Sequence, residues 1–178
     1  CLTEHEASSM HSKIFMFSET SGVPLVVIVS SANPTFGQAR RGWNNAYTMV
    51  RDAIMYDAFK RSFETMAIGA RNPDQPTTSP DAYFTATSGK HKAYFFPKDG
   101  TGADADPMYG ILRNIRCTGL ASGYGSGGRT TIRIAMYQWS ILRVRLAEQI
   151  WKLDDQGCKV TIMFDPTRVD PGVLRALT

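Results

Sequence analysis

The chain is poor in the residues that usually signal metal or redox chemistry. It holds three cysteines and three histidines in 178 residues. Cys1, Cys117 and Cys158 form no CxxC pair, which argues against a zinc site; no metal and no cofactor is expected. No apolar run approaches the roughly 20 residues of a membrane helix. The longest, Val23 to Val29, contains Pro24. No block of lysine or arginine reads as a basic tail. The chain does not begin with Met and carries no basic–apolar–small leader, so processing or truncation is expected to have removed what came before.

What is present fits a soluble globular domain with a real core. The hydrophobic fraction is 43%, the charged fraction 20% and the net charge +4. That mild basic excess suits an anionic ligand. Cys117 and Cys158 flank a compact segment; they either pair in an oxidising compartment or remain two buried thiols. Cys1 is then left over. It reads as a cut end without its partner, a nucleophile activated by its own amine, or a lipid-modified residue.

Short apolar runs rich in β-formers, 14–17 and 25–29, flank a turn, and their continuous apolarity predicts strands covered on both faces. Residues 47–50 read as another short strand. Asp52 can cap a helix whose apolar stripe is Ile54, Ala58, Phe59, Phe63, Met66 and Ala70. Residues 72–81 hold three prolines and read as loop. Residues 82–87 and 93–96 read as a hairpin. Asp106-Pro107 starts a helix to about Arg116. Gly123 to Gly128 formally fits GxGxxG, but the dinucleotide motif needs a strand before it and a helix after it. An alternating strand follows instead, so this is a surface loop. Strand 132–136, a helix marked by Leu142, Leu146, Ala147, Ile150 and Leu153, Gly157 at its C-terminal cap and strand 159–164 form a βαβ unit with a right-handed crossover. A last short helix begins near Pro171.

The chemistry concentrates near the start. In His-x-Lys at a strand, residues i and i+2 point to one face, so His11 and Lys13 can address one ligand. Neutral imidazole is a nucleophile at pH 7, and the ammonium supplies fixed positive charge beside it. Ser31 and Asn33 repeat the spacing at the end of the next strand and offer a hydroxyl and an amide. Four such groups converging would make an oxyanion cup with a nucleophile in it, and a phosphodiester is its natural ligand. His91, between lysines at the wrong offsets, reads as a surface hairpin residue. His5 reads as solvated.

"HSKIFMFS…VVIVSSANPT…WNNAYTM" resembles the phospholipase D superfamily, whose signature is HxKxxxxD followed by GSxN. His11, Lys13, Ser31 and Asn33 fall on the matching positions. "AYFFPKDG", "DPMYGILRNIRC" and the segment from Thr131 to Asp165 look like actinobacterial secreted members. The resemblance implies an α/β fold, a mixed β-sheet flanked by helices and here incomplete. It implies a metal-free, two-step mechanism: one histidine forms a phosphohistidine and a second, from another copy of the motif, protonates the leaving alcohol. By transfer, His11, Lys13 and Asn33 are catalytic and Ser31 binds substrate. Ser18 replaces the motif's Asp, Ser30 replaces its Gly, and no carboxylate stands in Trp43-Asn44-Asn45 to orient the imidazole.

The order of parts suggests the end of one repeat, residues 1–116, joined to the βαβ start of the next, residues 129–178. A fragment is the expectation, inactive alone, with the second HxK motif supplied by missing sequence or another chain. The expected function is a secreted phosphodiesterase or phosphatidyltransferase, with a phospholipid preferred to a nucleic acid and Cys117 bonded to Cys158. The alternatives are a nuclease of the same superfamily, with Arg40, Arg41 and Arg51 tracking phosphates, and a degenerate phosphate-binding module.

Overall fold

A computed structural model describes residues 10–71, 83–98, 100, 102 and 105–178. Cys1, His5, the proline-rich loop 72–81 and Ala82 lie outside the described residues. The fold is mixed α/β, with three small sheets and five α-helices among the described residues. The chain divides into two compact units, residues 1–99 and 100–178.

In the first unit, β1 (Ile14–Thr20) and β2 (Val23–Ser30) form an antiparallel hairpin, and β3 (Ala46–Met49) pairs with the other edge of β2. The strands run further than the apolar runs alone imply. Ser21 and Gly22 both take positive φ, as a two-residue I′ turn requires, so the ladder continues to Thr20 opposite Val23. A short helix α1 (Phe36–Arg40), capped by Thr35, interrupts the β2–β3 connection. Helix α2 (Ala53–Arg71) follows β3, and a hairpin of β4 (Phe84–Ser88) and β5 (His91–Phe95) closes the unit.

The core of this unit lies under α2. Val27, Ala58, Phe59 and Phe95 are buried, with Ile14, Met16, Val29 and Met49 packed around them from the sheet and Phe84, Ala86 and Ala93 from the hairpin. The expected stripe on α2 is corrected here. Met55, Ala58 and Phe59 face the core, whereas Ile54 and Phe63 are each 57% exposed. At about 100° per residue, the buried line is centred on 55, 59, 62 and 66, and positions 54 and 63 fall to either side of it. The second face of the sheet is covered only in part, for Val26 on that face is buried but its neighbours on β1 are not. Ile14, Met16, Val27 and Val29 face the core, while Phe15 and Phe17, on the alternate face, are 46% and 40% exposed.

The second unit begins with α3 (Pro107–Arg113). Asp106 caps it by accepting from the backbone N–H groups of Met108 and Tyr109, and binds Arg143 at 2.8 Å. Strands β6 (Thr131–Met136) and β7 (Lys159–Phe164) are parallel and in register, Thr131 opposite Lys159. Helix α4 (Val144–Asp155) crosses between them, led by a 3-10 turn, Ile141–Arg143. Leu146, Ala147, Ile150 and Leu153 are buried as the periodicity predicts; Leu142 lies in the 3-10 turn, ahead of the helix, and is exposed. The helix stops at Gly157, whose φ of +95° lets its N–H reach Asp154 O while Cys158 N–H reaches Leu153 O. Helix α5 (Pro171–Leu177), capped by Asp170, contributes Val173 to the same core as Trp139 and Ile150.

Tyr109 and Leu112 of α3 pack on the core around α4, and Cys117 is disulfide-bonded to Cys158, their Cα atoms 4.5 Å apart. Helix α3, which ends at Arg113 rather than Arg116, thus packs within the same unit as β6, α4 and β7. The glycine-rich loop 118–128 runs into β6 through a turn closed by Ser126 and Arg129. No helix follows it, so the phosphate-cradling geometry of a dinucleotide site is absent there.

Candidate functional site

His11 and Lys13 stand just before β1. The ladder reaches one residue beyond the strands, because Ser30 N–H donates to Lys13 O at 2.9 Å. Lys13 is thereby fixed opposite Ser30. Its ammonium donates to His11 O at 2.7 Å and lies 3.0 Å from His11 Nδ1. The structure thus brings His11 and Lys13 together, both at the surface. An ammonium only donates, so this contact uses the Nδ1 lone pair and leaves the proton of a neutral ring on Nε2. In this arrangement neither ring nitrogen presents a free lone pair.

The second pair is used differently. Ser31 N–H donates to Asn45 O at 3.0 Å. Its hydroxyl sits 3.1 Å from Asn44 Oδ1, to which it donates, and accepts from Asn45 N–H at 3.0 Å. Ser30 Oγ donates to Asn45 O at 3.3 Å and accepts from Ala32 N–H at 3.0 Å. Both serines therefore stitch the end of β2 to the segment leading into β3. Asn33 is exposed; its carbonyl accepts from Thr35 N–H at 2.7 Å, and its carboxamide meets no hydrogen-bond partner among the described residues.

The register decides which groups share a face. Ile14 and Val29 are paired and both face the core, so Lys13 and Ser30 fall on the opposite face with Phe15 and Ile28. His11 shares the Lys13 face by its i, i+2 spacing, while strict alternation returns Ser31 to the core side. Past Ser30 the chain leaves the strand, so the ladder no longer sets the position of Asn33. The hydroxyl directly across from Lys13 is that of Ser30. Sequence reasoning passed over it because it sits at the motif's glycine position.

No carboxylate pairs with His11 among the described residues, and Ser18 is exposed on β1. His91 opens β5 at the surface, with its Nδ1 3.2 Å from the Tyr47 hydroxyl and the two rings 5.9 Å apart. Asp52 lies close by. Its carboxyl is held below the ordinary carboxylate range, first by the Met55 N–H bonded to it at 3.0 Å, and to a smaller degree by Ser88 and the charge of His91. No signal in the sequence links positions 47, 52 and 91, because their proximity depends on the packing of α2 and the hairpin. Among the described residues no three His, Cys, Asp or Glu side chains are placed to share a metal ion, and no helix is long and apolar enough to cross a membrane.

Comparison of the chain with protein-family profiles, with curated proteins and with solved structures finds no match.

Proposed function

We propose that this chain carries one half-site of a phospholipase D-like phosphodiesterase or phosphatidyltransferase. In this reading β1–β3 are strands of the mixed sheet of one repeat, and β6, α4 and β7 open the next. The observation that carries it is the contact between the Lys13 ammonium and the His11 ring, exposed at the head of β1. On binding, the phosphodiester draws Lys13 onto its non-bridging oxygens, with the Asn33 amide as a second donor, and frees the imidazole. An imidazole nitrogen attacks phosphorus, the bond to the leaving alcohol breaks, and a second imidazole protonates that oxygen. Water or an alcohol, deprotonated by the second imidazole, then displaces His11 from phosphorus. The second imidazole comes from another segment or another chain.

A phospholipid is preferred to a nucleic acid as the substrate. A secreted protein is in keeping with the Cys117–Cys158 disulfide, since such bonds persist in oxidising compartments. The test is to trap the phosphoenzyme on the chain, alone and supplemented with a separate chain carrying an HxK motif, using a labelled phosphodiester. The label should be acid-labile and base-stable, vanish in His11→Ala and fall sharply in Lys13→Ala. Absence of the label with every phosphodiester, in both conditions, rejects the enzyme reading.

Three observations favour a second reading, a non-catalytic phosphate-binding module. Position 18 is a serine, His11 lacks a carboxylate partner among the described residues, and the Ser31 hydroxyl is engaged with Asn44 and Asn45. Phosphate binding that depends on Lys13, without any adduct on His11, is its signature.

A further inference from the structure

From the β2–β3 connection we infer a membrane-surface anchor: Phe36, Arg40, Arg41 and Trp43 form an interfacial patch that docks on a bilayer carrying anionic lipid. Phe36 is 68% exposed and Trp43 fully exposed, on a short segment that contributes no buried residue to the unit's core. Two large, mostly exposed aromatics on one short connection are costly to leave in water unless something covers them.

The segment holds these rings outward by construction. Asn44 Nδ2 donates to Gln38 O at 3.0 Å, and Asn44 Oδ1 accepts from Ser31 Oγ, so the loop is fastened back to the end of β2. A Cβ at Gly42 would lie 2.6 Å from Asn44 Nδ2, so this closure needs a glycine there. Arg41 N–H donates to Gly37 O and ends α1. The loop is thus closed by its own hydrogen bonds, and it leaves Phe36, Trp43 and the two arginines at the surface.

Charge selects the occupant. Between Glu19 and Asp52 the sequence contains no carboxylate, whereas Arg40 and Arg41 lie between the two aromatics. The Arg40 guanidinium stacks over the Phe36 ring, 4.7 Å from its centroid, so positive charge and aromatic surface adjoin at this point. Aromatic rings at headgroup depth with arginines beside them are the composition of an interfacial anchor. A single-stranded nucleic acid also uses aromatics and arginine, but it needs a groove of cations tracking successive phosphates. Two adjacent arginines on one short turn provide a point of attraction and no track. The inference rests on this surface and not on chemistry at His11.

The experiment is sedimentation of the whole chain with vesicles of phosphatidylcholine alone and of phosphatidylcholine with about a third phosphatidylglycerol, repeated in His11→Ala so that binding is read apart from turnover. Wild type and His11→Ala should both bind the anionic vesicles. Arg40→Gln with Arg41→Gln should lower that affinity about thirtyfold and abolish the preference for phosphatidylglycerol. Phe36→Ser with Trp43→Ser should lower it on the order of tenfold while far-UV circular dichroism stays unchanged. Gly42→Val, which reopens the loop without removing a contact residue, should weaken binding as well. Failure of the wild type to sediment with anionic vesicles overturns the inference. So does unchanged binding in both double variants, or a single-stranded oligonucleotide bound through these four residues in place of vesicles.

Discussion

In residues 105–178 the side chains of Ala147, Ile150, Leu153, Cys158 and Val173 are almost wholly removed from water, whereas among the described residues of the first unit only Val27 and Met55 reach that state. The second unit has a helix laid across a parallel strand pair, two further helices packed on it, and a disulfide tying the lead-in to β7. The first unit has an antiparallel sheet with one face only partly covered, and it closes the end of β2 with serine and asparagine hydrogen bonds. The units therefore divide the work. One is held by apolar burial and a covalent link. The other has a smaller core, and His11, Lys13 and the β2–β3 loop lie at its surface.

The most forceful way to break this contrast is to remove the covalent link. Cys117→Ala with Cys158→Ala, or reduction of the wild type, should cost about 4 kcal/mol, because the bond closes a loop with a sequence separation of 41. Denaturant unfolding followed by the fluorescence of buried Trp139 checks it, and a loss under about 1 kcal/mol would remove the disulfide from the account. Next comes Ile150→Ala, which opens a cavity beneath α4 and should cost about 3 kcal/mol in the same measurement. Phe63→Ala removes more atoms from a helix of equal importance to its own unit, yet it should cost no more than about 0.5 kcal/mol. Equal effects of the two changes would refute the assignment of the α2 core face to Met55, Ala58 and Phe59.

Asp52→Ala sharpens the comparison at smaller scale. It removes the cap of α2 and should destabilise by about 1 kcal/mol at neutral pH. The wild-type carboxyl titrates below its ordinary range, so its contribution is complete above that range and is lost as pH falls through the lowered value. Wild type and variant should therefore converge in stability from about pH 5 downward. Parallel curves down to pH 2 would show that the cap does not depend on ionised Asp52.

The second unit was far more legible in the sequence than the first. The expected strands 132–136 and 159–164 agree with β6 and β7 almost residue for residue, and Gly157 ends α4 where its position between helix and strand predicts. Local signals were consistent there: period 3.6 in the helix, β-formers in the strands, and turn residues between them. The disulfide was one of two readings of Cys117 and Cys158, and the fold brings them together. In the first unit the strands, the cap at Asp52 and the β4–β5 hairpin were readable. Helix α1 was not, since it buries nothing and so leaves no periodic trace. Which edge of the α2 stripe faces inward also escaped, because Ile54 and Phe63 are as apolar as Met55.

The candidate site divides in the same manner. The pairing of His11 with Lys13 follows from i, i+2 spacing in an extended chain, and the structure keeps those two groups in contact. The roles of Ser30 and Ser31 were beyond spacing. Each is bound to Asn45, a residue more than a dozen positions away that reaches β2 only once β3 pairs with it.

Alone, the amino-acid order determined the elements whose signals are local: strand runs, helix caps, the glycine stop and the imidazole–ammonium pair. Tertiary structure decided which face of each element is inside, which hydroxyls are already bonded and which aromatics remain in water. The physical reason is that hydrophobicity and hydrogen-bonding capacity belong to a residue, while burial and satisfaction belong to its neighbours, and here those neighbours are distant in the chain.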